Sequence, residues 1–121
     1  MTFKQSDRSA ILEVKTYLDE HYPDEISIRE LSQRAGCNPL KLQVGFRQMF
    51  DCPIYTYLTN LRMKTATELL TTTELSIKEI AVACGYNSGS DFTKLFKKHL
   101  GQSPKSYRMS RIEPGLMVCV L

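Results

Sequence analysis

A repeat of about fifty residues constrains the fold of this chain more than any other feature. The segment Ser27–Gly36 aligns with Ser76–Gly85 at an offset of 49 residues. One residue is inserted beyond the glycines, and from there Phe46 aligns with Phe96 at an offset of 50. Self-similarity of this kind indicates one supersecondary unit that the chain uses more than once. We therefore expect two copies of the same small unit in tandem.

Each copy begins with the pattern of a short capped helix. Ser27–Glu30 and Ser76–Glu79 both have the spacing of a capping box, in which side chains satisfy the free N–H groups at a helix start. Apolar residues then recur at helical spacing up to a glycine, Gly36 or Gly85. Glycine suits the left-handed backbone that ends many helices, so the first helix of each copy is predicted to stop there.

A second amphipathic helix follows each glycine. Asn38-Pro39 has the residue types of a new N-cap and first turn, and Asn87-Ser88 is the equivalent restart in the second copy. One face of each new helix is apolar: Leu42, Phe46 and Phe50 in the first copy, and Phe92, Leu95 and Phe96 in the second. Two helices joined by a turn that contains glycine are typical of a helix-turn-helix.

Three further helical segments surround the repeats, at about Arg8–His21, Pro53–Leu70 and Ser103–Arg108. No segment alternates like a strand, so we expect an all-α fold of about seven helices, with two helix-turn-helix subdomains joined by a long linker helix. The predicted division is an N-terminal subdomain at 1–52, the linker helix at 53–73, a C-terminal subdomain at 74–110 and a tail at 111–121. A helix of about 18–20 residues spans roughly 27–30 Å. This is close to the roughly 34 Å between equivalent positions of successive major grooves.

The charge is unevenly distributed along the 121 residues, although the net charge is only +3. Residues 1–30 sum to −3, residues 36–64 to +3, and residues 85–111 to +5. The two basic blocks coincide with the second helix of each repeat and the residues after it. Clustered basic charge of this kind indicates a surface that faces a polyanion.

Other functional classes find little support in the sequence. No apolar stretch is long enough to cross a bilayer, and the polar N-terminus lacks the apolar core of a secretory signal, so we expect a cytoplasmic protein without a membrane partner. The four cysteines include no CxxC pair, and neither His21 nor His99 has a motif partner. We therefore expect no metal, no cofactor and no enzymatic activity.

Six parts of the chain together have a pattern that is specific to one family: Leu42–Arg47, Leu61–Leu70, Ile77–Tyr86, Asp91–Lys98, Gly101 and Ser103–Arg108. On these residues the chain resembles the DNA-binding domain of the AraC/XylS family from about Arg8 to Arg108. It implies two helix-turn-helix subdomains joined by a long helix, sequence-specific binding of double-stranded DNA, regulation of transcription that is usually activation, and contact with RNA polymerase. A monomeric fragment is expected, with two recognition helices in successive major grooves.

Helix phase and the family together predict the reading surface. The candidates for contact with base edges are Leu40, Gln43, Val44, Ser90, Thr93 and Lys94. Gln43 can bond an adenine edge, Leu40 and Val44 can touch thymine methyl groups, and Lys94 can bond guanine. The candidates for phosphate contact, which fixes register but not sequence, are Asn38, Lys41, Arg47, Arg62, Ser88, Lys97 and Lys98.

Four alternatives stay open at this stage. Arg62 fits a structural ion pair as well as a phosphate contact. Gly45 lies inside a predicted helix, where it costs about 1 kcal/mol relative to alanine, and it permits close approach either by a neighbouring helix or by DNA. The apolar segment 115–121 fits packing onto the domain, association or disorder, and the first or the last of these is favoured because seven residues cannot form a core alone. A helical protein-interaction module with the same fold and little DNA affinity is the alternative function.

Overall fold

The computed structural model describes residues 3–112, with side chains described as far as residue 110. This part of the chain forms seven helices and no strand, so the all-α prediction is confirmed. The helices are α1 Gln5–His21, α2 Ile28–Ala35, α3 Pro39–Phe50, α4 Ile54–Thr72, α5 Ile77–Ala83, α6 Gly89–Leu100 and α7 Pro104–Ile112. Residues 113–121, most of the predicted tail, lie outside the described residues.

Two helices are longer than their sequence patterns indicated. Helix α1 begins at Gln5 instead of near Arg8, because the backbone N–H of Lys4 donates to the Asp7 carboxylate at 2.8 Å and so closes the first turn earlier. Helix α7 continues through Ile112. The chain divides into two compact units between Leu61 and Arg62, and this division falls inside α4.

The core of the first unit is formed by α1, α2, α3 and the start of α4. Its buried side chains are Ile11, Val14, Leu18, Leu31, Leu42, Phe46, Ile54 and Leu58. Leu42 and Phe46 are fully buried, and Phe50 packs against them from a half-buried position, so the predicted inner face of α3 is confirmed.

The core of the second unit repeats this arrangement around Phe92 and Phe96, both fully buried. The other buried members are Met63, Ala66, Leu70, Ile80, Ala81 and Cys84. Met63, which the sequence analysis did not place in the core, is only 4% exposed, whereas Leu69 packs against the same cluster from a half-buried position.

The predicted caps set the ends of the helices. Gly36 and Gly85 have left-handed backbone angles of φ 69° and 99°, as the repeat predicted. Ser76 forms the full capping box with Glu79, with both bonds at 3.1 Å. In the first copy the serine half is present, since Ser27 accepts from the Glu30 N–H.

Arg108 closes the second unit by capping the end of α4. Its Nε donates to the carbonyl of Leu70 at 3.0 Å and its Nη2 donates to the carbonyl of Thr73 at 3.2 Å. Leu70 lies in the last turn of α4, where helix carbonyls lack donors further along the helix, and Thr73 follows directly after the helix.

In the part of the chain that the structure describes, no helix is long and apolar enough to span a membrane. The same residues include no group of three or more His, Cys, Asp or Glu side chains that could hold a metal ion.

Candidate nucleic-acid interface

Helix α3 presents one exposed face made of Leu40, Gln43, Val44 and Arg47. Positions separated by three, four and seven residues share one side of a helix, and the buried Leu42 anchors the opposite side. Leu40 is 64% exposed, Gln43 and Arg47 are exposed, and Val44 is half-buried. The structure therefore brings the three predicted base-edge candidates of α3 together with one phosphate candidate.

A shallow groove runs beside this face of α3, and it contains a residue that the sequence analysis missed. The groove is lined by Ile28, Leu40, Gln43, Val44, Arg47, Pro53, Ile54 and Tyr55. Tyr55 is 67% exposed at the second position of α4. The sequence signal for it is weak, because it consists only of an aromatic residue directly after Ile54, which is buried. The groove combines apolar surface with one amide and one guanidinium.

Helix α6 presents the equivalent face, with Ser90, Thr93, Lys94 and Lys97 at an offset of 50 from the four residues of α3. Ser90 and the two lysines are exposed and Thr93 is half-buried, while Phe92 and Phe96 are buried on the other side. The face is open at its N-terminal end, because a Cβ added to Gly89 would meet nothing within 4 Å. The two faces thus share a register and differ in chemistry.

Asn38 and Ser88, two of the predicted phosphate contacts, are the N-caps of the recognition helices. Asn38 Oδ1 accepts from the Lys41 N–H at 2.8 Å, and Ser88 Oγ accepts from the Asp91 N–H at 3.2 Å. Their oxygens therefore serve the helix starts. The Asn38 amide hydrogens and the Ser88 hydroxyl hydrogen are the groups with which these residues can bind a phosphate.

Lys41 is set apart from the exposed face of α3. Its Nζ lies 3.0 Å from Asp7 Oδ2 and 5.9 Å from the centroid of the Phe3 ring. The pKa of Asp7 lies below its ordinary value, because the Lys4 backbone N–H and then the Lys41 ammonium stabilise the carboxylate. The structure thus places this predicted phosphate contact in an ion pair with α1.

Arg62 packs against an aromatic ring of the second unit. Its guanidinium carbon lies 5.2 Å from the centroid of the Tyr86 ring, within range of a cation–π contact. Burial raises the pKa of Tyr86, and the charge of Arg62 partly opposes that rise. This contact agrees with the structural interpretation of Arg62, and a phosphate contact at this position stays a prediction.

Gly45 permits close packing within the first unit. A Cβ at this position would collide with Ile11 Cδ1 of α1 and would lie 2.8 Å from Cε1 of Phe3. The sequence analysis left open whether a neighbouring helix or DNA approaches Gly45. In the structure a neighbouring helix, α1, packs against it.

Two helix-turn-helix units, each with an exposed second helix that carries amide, hydroxyl or basic groups, define the class of DNA-binding domains. Comparison with known proteins agrees with this class. A family model described as a helix-turn-helix domain matches residues 31–110. The chain is 31% identical over 106 residues to the HTH-type transcriptional activator AarP of Providencia stuartii. The aligned region covers 88% of this chain and 78% of AarP.

Solved structures give the same result. The C-terminal domain of AraT, a response regulator from Geobacillus stearothermophilus, has a TM-score of 0.81 and 31% identity, covering 84% of this chain and 85% of that one. The DNA-binding domain of the global transcriptional factor AdpA, solved in complex with a target DNA, has a TM-score of 0.77 and 28% identity, covering 82% and 89%. Several other curated relatives are longer, and the chain spans about a third of their length.

The family match and the similarity to AarP show that this chain belongs to the AraC-type helix-turn-helix family of transcription regulators.

Proposed function

We propose that the chain binds double-stranded DNA with α3 and α6 in successive major grooves and so regulates transcription from specific sites. The observation that carries the proposal is the shared register of the two helices. In α3 the exposed face is formed by Leu40, Gln43, Val44 and Arg47, and Leu42 and Phe46 are buried. The residues 50 positions later in α6 repeat this division into an exposed and a buried face. A recognition helix must have this property if its side chains are to reach base edges.

The chemistry of α3 fits a site that contains thymine and adenine. Leu40 and Val44 offer apolar contacts for thymine methyl groups, and Gln43 can pair with the N6 and N7 groups of adenine. Arg47 lies one turn beyond Gln43 and is exposed, which suits a phosphate contact at the edge of the groove. Tyr55 borders the same groove and can add either an apolar contact or a hydroxyl donor.

The proposed DNA contacts of α6 depend more on charge than those of α3. We propose that Lys94 bonds guanine, with Ser90 and Thr93 as short hydrogen-bonding partners. Lys97 and Lys98, both exposed in the last turn, fit phosphate contacts. We expect the second unit to contribute more of the salt-dependent affinity, and the first unit to contribute more of the contacts that do not depend on salt.

Further properties of the protein belong to the same proposal. AarP is described as a transcriptional activator, and we propose activation through contact with RNA polymerase for this chain as well. We propose that it acts in the cytoplasm, that it binds its site as a monomer, and that it has no catalytic role.

Selection of duplexes from a random DNA pool at two salt concentrations tests the proposal. We expect a motif with two blocks about 10 base pairs apart. Gln43→Ala should relax the first block and Lys94→Ala the second, each at a cost of about 1–3 kcal/mol. Lys78→Ala, which removes an exposed lysine of α5, is the matched control and should leave both blocks unchanged.

Other outcomes of the selection contradict parts of the proposal. A motif with a single block would mean that one unit contacts the phosphate backbone of the DNA without contacting base edges. No enrichment at either salt concentration would overturn sequence-specific binding and would favour the alternative, a helical module that binds another protein.

A further inference from the structure

We infer that Asp7 neutralises Lys41, so that α3 binds DNA with one phosphate contact fewer than its basic residues suggest. The inference rests on the proposed function and assigns Asp7 the role of a positioning residue for the recognition helix. It also removes Lys41 from the phosphate contacts that the sequence predicted.

The first support is the geometry of the ion pair. Asp7 Oδ2 lies 3.0 Å from Lys41 Nζ, and the two side chains are only 19% and 27% exposed. Asp7 is itself fixed, since its carboxylate accepts the Lys4 N–H at 2.8 Å at the start of α1. A carboxylate at a helix N-terminus is stabilised by the partial positive charge there. The Asp7 carboxylate is therefore fixed in position and charged where Lys41 can bind it.

The second support is the packing around the lysine. Gly45 lies one helical turn beyond Lys41, and Phe3 and Ile11 approach it so closely that they would have to shift to admit a Cβ at that position. The centroid of the Phe3 ring lies 5.9 Å from Lys41 Nζ, so an aromatic ring and the Asp7 carboxylate both lie near the ammonium. The segment before α1 therefore restricts where this ammonium can reach.

The third support comes from the repeat. The position in α6 equivalent to Lys41 is Asp91, whereas the position equivalent to Arg47 is Lys97. Positive charge is therefore present in both copies on the proposed DNA-facing side. It is absent from the Lys41 position in the second copy and is offset by Asp7 in the first. For Lys41 to bind a phosphate it would have to leave or share the Asp7 carboxylate, and the loss of that ion pair would offset part of the gain.

The test compares Asp7→Asn, Lys41→Gln and the double variant with the wild-type chain. Each is titrated with a selected duplex and with a scrambled duplex over a series of salt concentrations. We expect Asp7→Asn to bind both duplexes about fivefold more tightly and to steepen the slope of log K against log salt by about 0.9, the change for one added phosphate contact. Lys41→Gln alone should change affinity less than about twofold, and in the Asp7→Asn background it should abolish the gain.

The matched control is Glu20→Gln, which makes the same change of charge at an exposed position of α1 and should leave the salt slope unchanged. Circular dichroism melting checks that each variant is folded. If Lys41→Gln alone lowers the slope by about 0.9 and Asp7→Asn leaves it unchanged, Lys41 contacts phosphate despite Asp7 and the inference is wrong.

An NMR titration of the Asp7 carboxyl group without DNA tests the ion pair with Lys41 independently of the proposed DNA binding. We expect Lys41→Gln to raise the pKa of Asp7 towards its ordinary value, because one of the two groups that stabilise the carboxylate is lost. An unchanged pKa would overturn the ion pair even if DNA binding is confirmed. If the wild-type chain binds neither duplex, the proposed function fails and the inference fails with it, whatever the titration shows.

Discussion

The rings of Phe96 and Tyr107 meet edge to face, with centroids 5.6 Å apart and planes at 83°. Phe46 and Tyr57 make the same contact in the other unit, with the same centroid distance and an angle of 69°. Both pairs join a recognition helix to the helix that follows it. The repeat seen in the sequence is therefore also a repeat of one packing contact between consecutive helices.

The ring pair of the second unit should contribute measurably to stability. Phe96→Leu and Tyr107→Leu each keep an apolar side chain, so their combination isolates the ring contact from the loss of buried surface. We expect a coupling free energy of about 0.5–1.5 kcal/mol in a double-mutant cycle followed by urea unfolding. Additive effects of the two substitutions would show that the edge-to-face geometry contributes no stability beyond buried area.

Gly45, inside α3, and Gly89, at the first position of α6, differ in how closely neighbouring side chains approach them. Gly45→Ala should destabilise the chain by about 1–3 kcal/mol, because its Cβ would collide with Ile11 and crowd Phe3. Gly89→Ala should be close to neutral, because its Cβ would meet nothing within 4 Å. Thermal melting of both variants checks this, and equal effects would contradict the packing account.

The sequence predicted best the features that depend on neighbours along the chain. The caps at Asn38 and Ser76, the left-handed glycines Gly36 and Gly85, and the buried face around Phe46 all follow from residue type and helical spacing. Each is decided within one or two helical turns, so no tertiary information is needed. The repeat strengthened every such prediction by supplying a second instance.

The features that the sequence did not predict depend on contacts between distant segments. Asp7 and Lys41 are 34 residues apart and meet only when α1 packs against α3. Met63 lies in the core of the second unit, which the sequence analysis did not predict, because α4 contributes side chains to two different cores. Tyr55 was missed for a similar reason, since exposure beside a groove is a property of the assembled unit. Which of the exposed residues contact DNA stays a prediction.

The capping box of Ser76 and Glu79 predicts a specific dependence of stability on pH. The pKa of Glu79 lies below its ordinary value of 4.5, because the Ser76 backbone N–H donates to its carboxylate. A lowered pKa in the folded state gives stability that is complete above pH 4.5 and is lost as the pH falls through the lowered value.

We expect Glu79→Gln, which keeps the cap but not the charge, to flatten this acid dependence in urea unfolding measured between pH 7 and pH 3. Ser76→Ala should cost about 1 kcal/mol at pH 7 and should also raise the pKa of Glu79. If the wild-type chain and Glu79→Gln lose the same free energy of unfolding between pH 7 and pH 3, the acid dependence does not come from the capping box.

The contact between Arg62 and Tyr86 predicts that Arg62 acts through structure and not through phosphate. Arg62→Ala should lower the stability of the second unit by about 1 kcal/mol, since it removes the guanidinium from the Tyr86 ring. It should leave the salt slope of DNA binding unchanged, whereas Lys97→Ala should lower that slope by about 0.9 with little effect on stability. Arg62→Ala should also raise the pKa of Tyr86 further, because a positive charge that favours the phenolate is lost. A reduced salt slope in Arg62→Ala, with unchanged stability and an unchanged Tyr86 titration, would instead establish a phosphate contact at this position.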